Sequence, residues 1–187
     1  MTKIYYKNNL DLNYDIIFIP KLKQALISYD LDCFLQESFV NCFELNDIDL
    51  KEDNSYMNYL GDKSILILRE SSGTYLCFGT IDLKPSLEGV GFSLYLSPKT
   101  NKKRFKYIFH ILMTSFLRVI VNESEFINYR KYIYFDVASL VIYKWTRIIL
   151  PNLKKLKIKD QYTICYTDID EQYINNIILK NTEIYKC

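Results

Sequence analysis

Four cations, Lys102, Lys103, Arg104 and Lys106, crowd a five-residue span, with Lys99 and Asn101 just ahead of them. The segment before them, Gly91-Phe-Ser-Leu-Tyr-Leu-Ser-Pro98, reads as a strand. The segment after, Tyr107 to Ile120, reads as a long apolar helix. A turn that feeds a helix start can hold a phosphate, because the first backbone N–H groups lack intrahelical partners and the dipole there is positive. The chemistry this junction offers is anion binding. No complete catalytic signature accompanies it.

The elements that must position this junction follow from pattern. Residues 20–43 carry Leu22, Leu26, Ile27, Leu31, Phe34, Leu35 and Phe39 at helical spacing, with Pro20 at the expected start. An acidic stretch, 44–62, has room for one short helix around Tyr56, Met57 and Leu60. Three strands follow, 64–70, 74–81 and 90–97, joined by short turns at Ser71-Ser72-Gly73 and at Pro85 to Gly89. A helix over 104–121 carries a polar stripe at Lys106, His110, Thr114 and Arg118. His110 in that stripe reads as a half-buried helix histidine rather than a base. A fourth strand spans 131–137, and the helix between it and the third makes the two parallel neighbours. A helix over 139–150 ends before Pro151, a fifth strand covers 162–166, and 171–180 fits helix or strand. The expected fold class is therefore α/β (α+β), with a central mixed, mostly antiparallel sheet flanked by helices.

Length and composition bound the function. With 187 residues and no repeat or low-complexity linker, a single domain over 1–187 is expected. The net charge of +2 argues against a nucleic-acid partner. Lysines gather a second time at Lys154, Lys155, Lys157 and Lys159, and two basic patches on a near-neutral body suit a small anionic ligand. The surplus of Tyr and Phe goes with a wealth of Ile, Asn and Lys, as in an AT-rich genome. Five cysteines (33, 42, 77, 165 and 187) show no CxxC pair, and His110 is the only histidine, so neither a disulfide framework nor a metal site is expected. Residues 1–7 lack the apolar core of a signal peptide, and 105–121 is interrupted by Lys106, His110 and Arg118. No membrane span and a cytoplasmic location are the expectation.

The order of elements, with the basic turn after the third hairpin strand, resembles the GNAT acyltransferase superfamily over roughly residues 20–167. Leu96-Ser97-Pro98 matches the family's strand end, and Asn101, Arg104 and Lys106 fall at its Arg/Gln and two glycine positions. Both glycines are thus replaced by long cations, which can grip phosphate with their side chains where backbone normally does. A second partial match runs from Asp136 to Lys144 and retains Tyr143 and Lys144, while Asp136, Ser139 and Ile142 replace the usual residues. The resemblance implies acyl transfer from acetyl-CoA or another acyl-CoA to an amine acceptor. It places the cofactor on Leu96, Asn101, Lys102, Lys103, Arg104 and Lys106, and makes Tyr143 the acid that protonates the leaving thiolate. Glu88, Asp82 and Glu70 are the carboxylates open to serve as base, Glu88 first among them, with water the alternative. Cys77, in mid-strand, reads as core packing rather than as a covalent nucleophile.

Loss of both glycines sustains a reading of a different class, a GNAT-shaped protein without catalysis that binds a protein partner, of immunity, effector or inhibitor type. Cofactor binding separates the two.

Overall fold

A computed structural model describes residues 4–7, 13–22, 26–45, 56–129, 131–137, 140–158, 163–168 and 171–184. Asp47, Asp49, Glu52, Asp53, Ser139 and Lys159 lie outside them. The described strands are β1 (Ile4–Lys7), β2 (Tyr14–Ile19), β3 (Ser64–Glu70), β4 (Tyr75–Lys84), β5 (Gly89–Leu96), β6 (Tyr132–Val137), β7 (Lys154–Ile158) and β8 (Thr163–Asp168). The helices are α1 (Tyr29–Leu45), α2 (Tyr56–Leu60), α3 (Phe105–Asn122), α4 (Leu140–Ile149) and α5 (Glu171–Ile184).

The strands hydrogen-bond in the order β1-β2-β3-β4-β5-β6-β8-β7, a mixed sheet flanked by helices. Its parallel ladder joins β5 to β6 from Gly89–Tyr132 to Phe92–Phe135, as the intervening helix requires. The tight β3–β4 turn is closed by Gly73 at φ +100°, a conformation that glycine adopts without strain.

Two expectations change, and one open reading is settled. The helix expected from Pro20 begins at Tyr29, and the run Tyr14–Ile19 before it is a strand. Ile16, Ile17, Phe18 and Ile19 are all buried, so β2 is covered on both faces and shows no alternation to betray it. The second lysine cluster is β7, an edge strand whose charges discourage pairing with another chain. Residues 171–184 form a helix, with Ile174 and Ile178 turned inward.

Two compact units divide the chain. One draws on residues up to Thr80 and on Leu94–Ile108. Its core sets Leu31, Phe34, Leu35 and Phe39 of α1 against Ile17, Ile65, Ile67, Phe78 and Tyr95, with the Phe78 and Tyr95 rings stacked 4.6 Å apart. The other draws on Ile81–Ser93 and on residues from Phe109 onward. There, α3 is buried all round from Phe109 to Leu117, the condition of a core helix despite a length and composition that would cross a bilayer. Phe116 stacks on Phe92 at 4.1 Å and meets Phe135 edge-on.

Gly89 opens β5 where a side chain has no room: an added Cβ would lie 2.6 Å from the Tyr132 carbonyl oxygen. Gly89→Ala should lower stability in urea unfolding by about 1–3 kcal/mol. An unchanged unfolding midpoint would show that the Tyr132–Tyr134 segment yields freely.

Candidate functional site

The turn between β5 and α3 is built by its own short polar side chains. Ser97 N–H donates to the Leu76 carbonyl at 3.0 Å, and the Ser97 hydroxyl accepts from Lys99 N–H at 3.2 Å. Thr100 N–H donates to the Ser97 carbonyl, and its hydroxyl donates to that of Leu76. The Asn101 side-chain oxygen accepts from Lys103 N–H at 2.9 Å, while its carbonyl accepts from Arg104 N–H. Asn101 thereby caps the single 3-10 turn, Lys102–Arg104, from which α3 springs.

The cations around this turn are not equivalent. Arg104 donates to Glu70 Oε1 at 2.8 Å and to the Tyr14 hydroxyl, and its guanidinium lies over the Tyr14 ring. The Glu70 bond first, and the Tyr14 bond second, hold that guanidinium still more firmly protonated. Arg104 therefore ties the turn to the ends of β2 and β3. Lys99 pairs with Glu37 at 3.2 Å. Lys103 and Lys106 are exposed; the side chain of Lys102 is outside the described set.

Sequence reasoning missed the partners of Leu96. Asn41 Nδ2 of α1 donates to the Leu96 carbonyl at 2.9 Å, and Cys42 Sγ lies 3.9 Å from the Leu94 carbonyl. Because Ser97 N–H points to β4, the alternate residues Leu94 and Leu96 present both N–H and C=O on the opposite edge. That edge is where α1 reaches β5. Nothing local in the sequence marks a contact spanning 55 residues.

The candidate acid and base belong to the other unit. Tyr143 is half-buried on α4, with Lys155 Nζ 4.8 Å and the Arg147 guanidinium carbon 5.9 Å from its ring centre. Glu88 sits in a left-handed conformation (φ +49°) before β5, forms an ion pair with Lys131 and accepts Lys131 N–H on its carbonyl. Glu88 flanks the N-terminal end of β6, whereas α4 follows its C-terminal end. Six strand residues lie between, a rise of about 20 Å, so the structure does not bring Glu88 and Tyr143 together. The other carboxylates are engaged as well: Asp82 with Lys84, and Glu70 with Arg104.

His110, Arg118 and Cys77 are wholly or partly buried. His110 is buried on α3, where its carbonyl accepts from the Thr114 hydroxyl at 2.9 Å. Arg118, half-buried further along that helix, has its guanidinium pKa pulled down by burial. Cys77 is fully buried on β4, and burial pushes its thiol far above the ordinary range. In the native protein Cys77 should resist maleimide while the half-buried Cys33 and Cys42 react, with mass spectrometry of each peptide as the readout. Rapid native labelling of Cys77 would contradict the packing described. Among the described residues no group of three or more His, Cys, Asp or Glu side chains could hold a metal ion.

Neither a family model nor a curated protein matches this chain. Solved structures do. TofI, in a ternary complex with an inhibitor and MTA, superposes with a TM-score of 0.59 at 9% identity, over 87% of this chain and 95% of that one. FdhC, described as a nucleotide-linked sugar GNAT, gives 0.52 at 11% identity over 93% of both chains. A GNAT superfamily phosphinothricin acetyltransferase from Sinorhizobium meliloti, in complex with AcCoA, gives 0.51 at 11% identity, over 76% of this chain and 83% of its own. At such identities the likeness is one of fold.

Proposed function

Because this chain has the GNAT acyltransferase fold, we propose that it transfers an acyl group from acyl-coenzyme A to an amine. The observation that carries this reading is the junction of β5, the Asn101-capped turn and α3. A strand edge, a fixed turn and the positive end of an 18-residue helix meet there, with Lys103 and Lys106 exposed beside it. In this reading the helix start and the two lysines hold the cofactor's phosphates. Arg104 keeps the turn in place, and Asn101 shapes it. The Leu96 carbonyl is held by Asn41, so it is the Leu96 N–H on that edge that meets the cofactor's amide-bearing arm.

Chemically, the amine attacks the thioester carbonyl, the tetrahedral intermediate collapses, and the thiolate leaves. Tyr143 protonates that thiolate. Glu88 stands too far along β6 from Tyr143 to share an acceptor with it, so the amine's proton passes to water. The test is thiol release from acetyl-, hexanoyl- and palmitoyl-CoA in the presence of a panel of primary amines. Release that requires both thioester and amine supports the reading; no release with any pair contradicts it.

A second reading, partner binding without catalysis, draws on the half-exposed face of Tyr132, Tyr134 and Tyr166, whose rings lie 5.9–6.2 Å apart. Tyrosines of this kind are frequent anchors in protein interfaces. Capture of a protein partner that is lost in Tyr134→Ala and Tyr166→Ala, yet kept in Lys103→Glu, would favour it.

A further inference from the structure

Among the described residues, five cations along the sheet have a carboxylate. Arg69 pairs with Asp15, Lys84 with Asp82, Arg104 with Glu70, Lys131 with Glu88 and Lys154 with Asp168. Arg147 and Lys155 differ. Each is exposed, and among the described residues neither has a carboxylate partner; what they share is the ring of Tyr143. The arrangement follows from local geometry. Arg147 lies one helical turn beyond Tyr143, on the same face of α4. On β7, alternation sends Lys154 toward Asp168 and Tyr166 and Lys155 to the other side, over Tyr143. Both charges lie within 5.9 Å of one ring centre, and an anion that reached both would offset their mutual repulsion while gaining charge-assisted hydrogen bonds.

We propose that Arg147 and Lys155 bind the anionic group of the acceptor, which is therefore an amine that also carries a phosphate or a carboxylate. This rests on the acyl-transfer reading above, because it uses the neighbourhood of Tyr143 to seat the acceptor. Bidentate contact suits Arg147 and point-charge contact suits Lys155. Tyr143 then has two parts: its ring supports the two cations, and its hydroxyl serves the leaving thiolate.

The experiment is a calorimetric titration of the full chain with phosphoethanolamine, ethanolamine, glycine and glycinamide, repeated on Arg147→Ala/Lys155→Ala and on the charge-retaining Arg147→Lys. Emission of Trp145, the single tryptophan and two residues from both Tyr143 and Arg147, gives a second readout that needs no turnover. Each anionic amine should bind about tenfold more tightly than its neutral counterpart. The preference should shrink in high salt, disappear in the double variant and survive in Arg147→Lys. Absence of the preference, its persistence in the double variant, or no binding of any of the four amines overturns the proposal. A parallel titration with coenzyme A and 3′-dephospho-coenzyme A separates the two sources of phosphate. If the double variant loses discrimination between those two, the cations serve the nucleotide and the acceptor assignment is wrong. Failure of acetyl-CoA itself to bind would instead remove the acyl-transfer reading.

Discussion

Phe116→Ala is expected to cost about 3–5 kcal/mol of stability, the range for deleting a fully buried phenylalanine. The ring has no exposed surface, stacks on Phe92 at 4.1 Å and meets Phe135 edge-on at 6.1 Å. Truncation removes the ring's own transfer energy, leaves a cavity under β5 and β6, and forfeits two aromatic contacts. For a chain of this length, a loss of that size lowers the melting temperature by roughly 10 °C. Phe116→Leu, which refills most of the volume, should cost about half as much. A Phe116→Ala loss below about 1 kcal/mol would contradict the packing of Phe116 against Phe92 and Phe135.

Tyr143→Phe is expected to lower kcat by about 100-fold or more, as removal of a positioned proton donor does, while leaving KM for acetyl-CoA near its original value. The substitution keeps the ring on which Lys155 and Arg147 rest, so it deletes the proposed proton donor and little else. Steady-state kinetics with saturating amine gives the answer. A kcat within about threefold of the original would assign the thiolate's proton to solvent and leave Tyr143 only its supporting part.

The parts of this fold that could be read from residues are those whose signals are local. Helix α3 lies within one residue of its expected bounds, because its apolar run and its basic start are contiguous. The three strands between 64 and 96 were also legible, since Gly73 and Pro85 punctuate them, although β4 runs three residues beyond its expected end. Strand β2 was not, because an unbroken run such as Ile16–Ile19 has no period and fits a buried helix as well as a buried strand. Strand β7 was masked by its charges, which at a sheet edge serve to prevent pairing and so look like a solvated patch. The site divides in the same way. The cations of the turn were visible at once, but which of them stays available depends on residues far along the chain. Glu70 and Tyr14, 34 and 90 positions away, claim Arg104 and leave Lys103 and Lys106 exposed. Tyr143 follows from the motif resemblance and Glu88 from its residue type, and only the register of β5 on β6 reveals that they flank opposite ends of a strand.

Acyl-CoA binding at the β5–α3 turn can be measured directly as stabilisation of the native state by acetyl-CoA, in the original chain and in Lys103→Glu/Lys106→Glu. At one hundred times the dissociation constant, a ligand confined to the native state contributes about 2.7 kcal/mol, a rise of several degrees for a chain of this length. That rise is expected in the original chain and its loss in the charge-reversed variant, whose melting temperature without ligand should stay close to that of the original. No rise with acetyl-CoA, or an equal rise in both proteins, would contradict it.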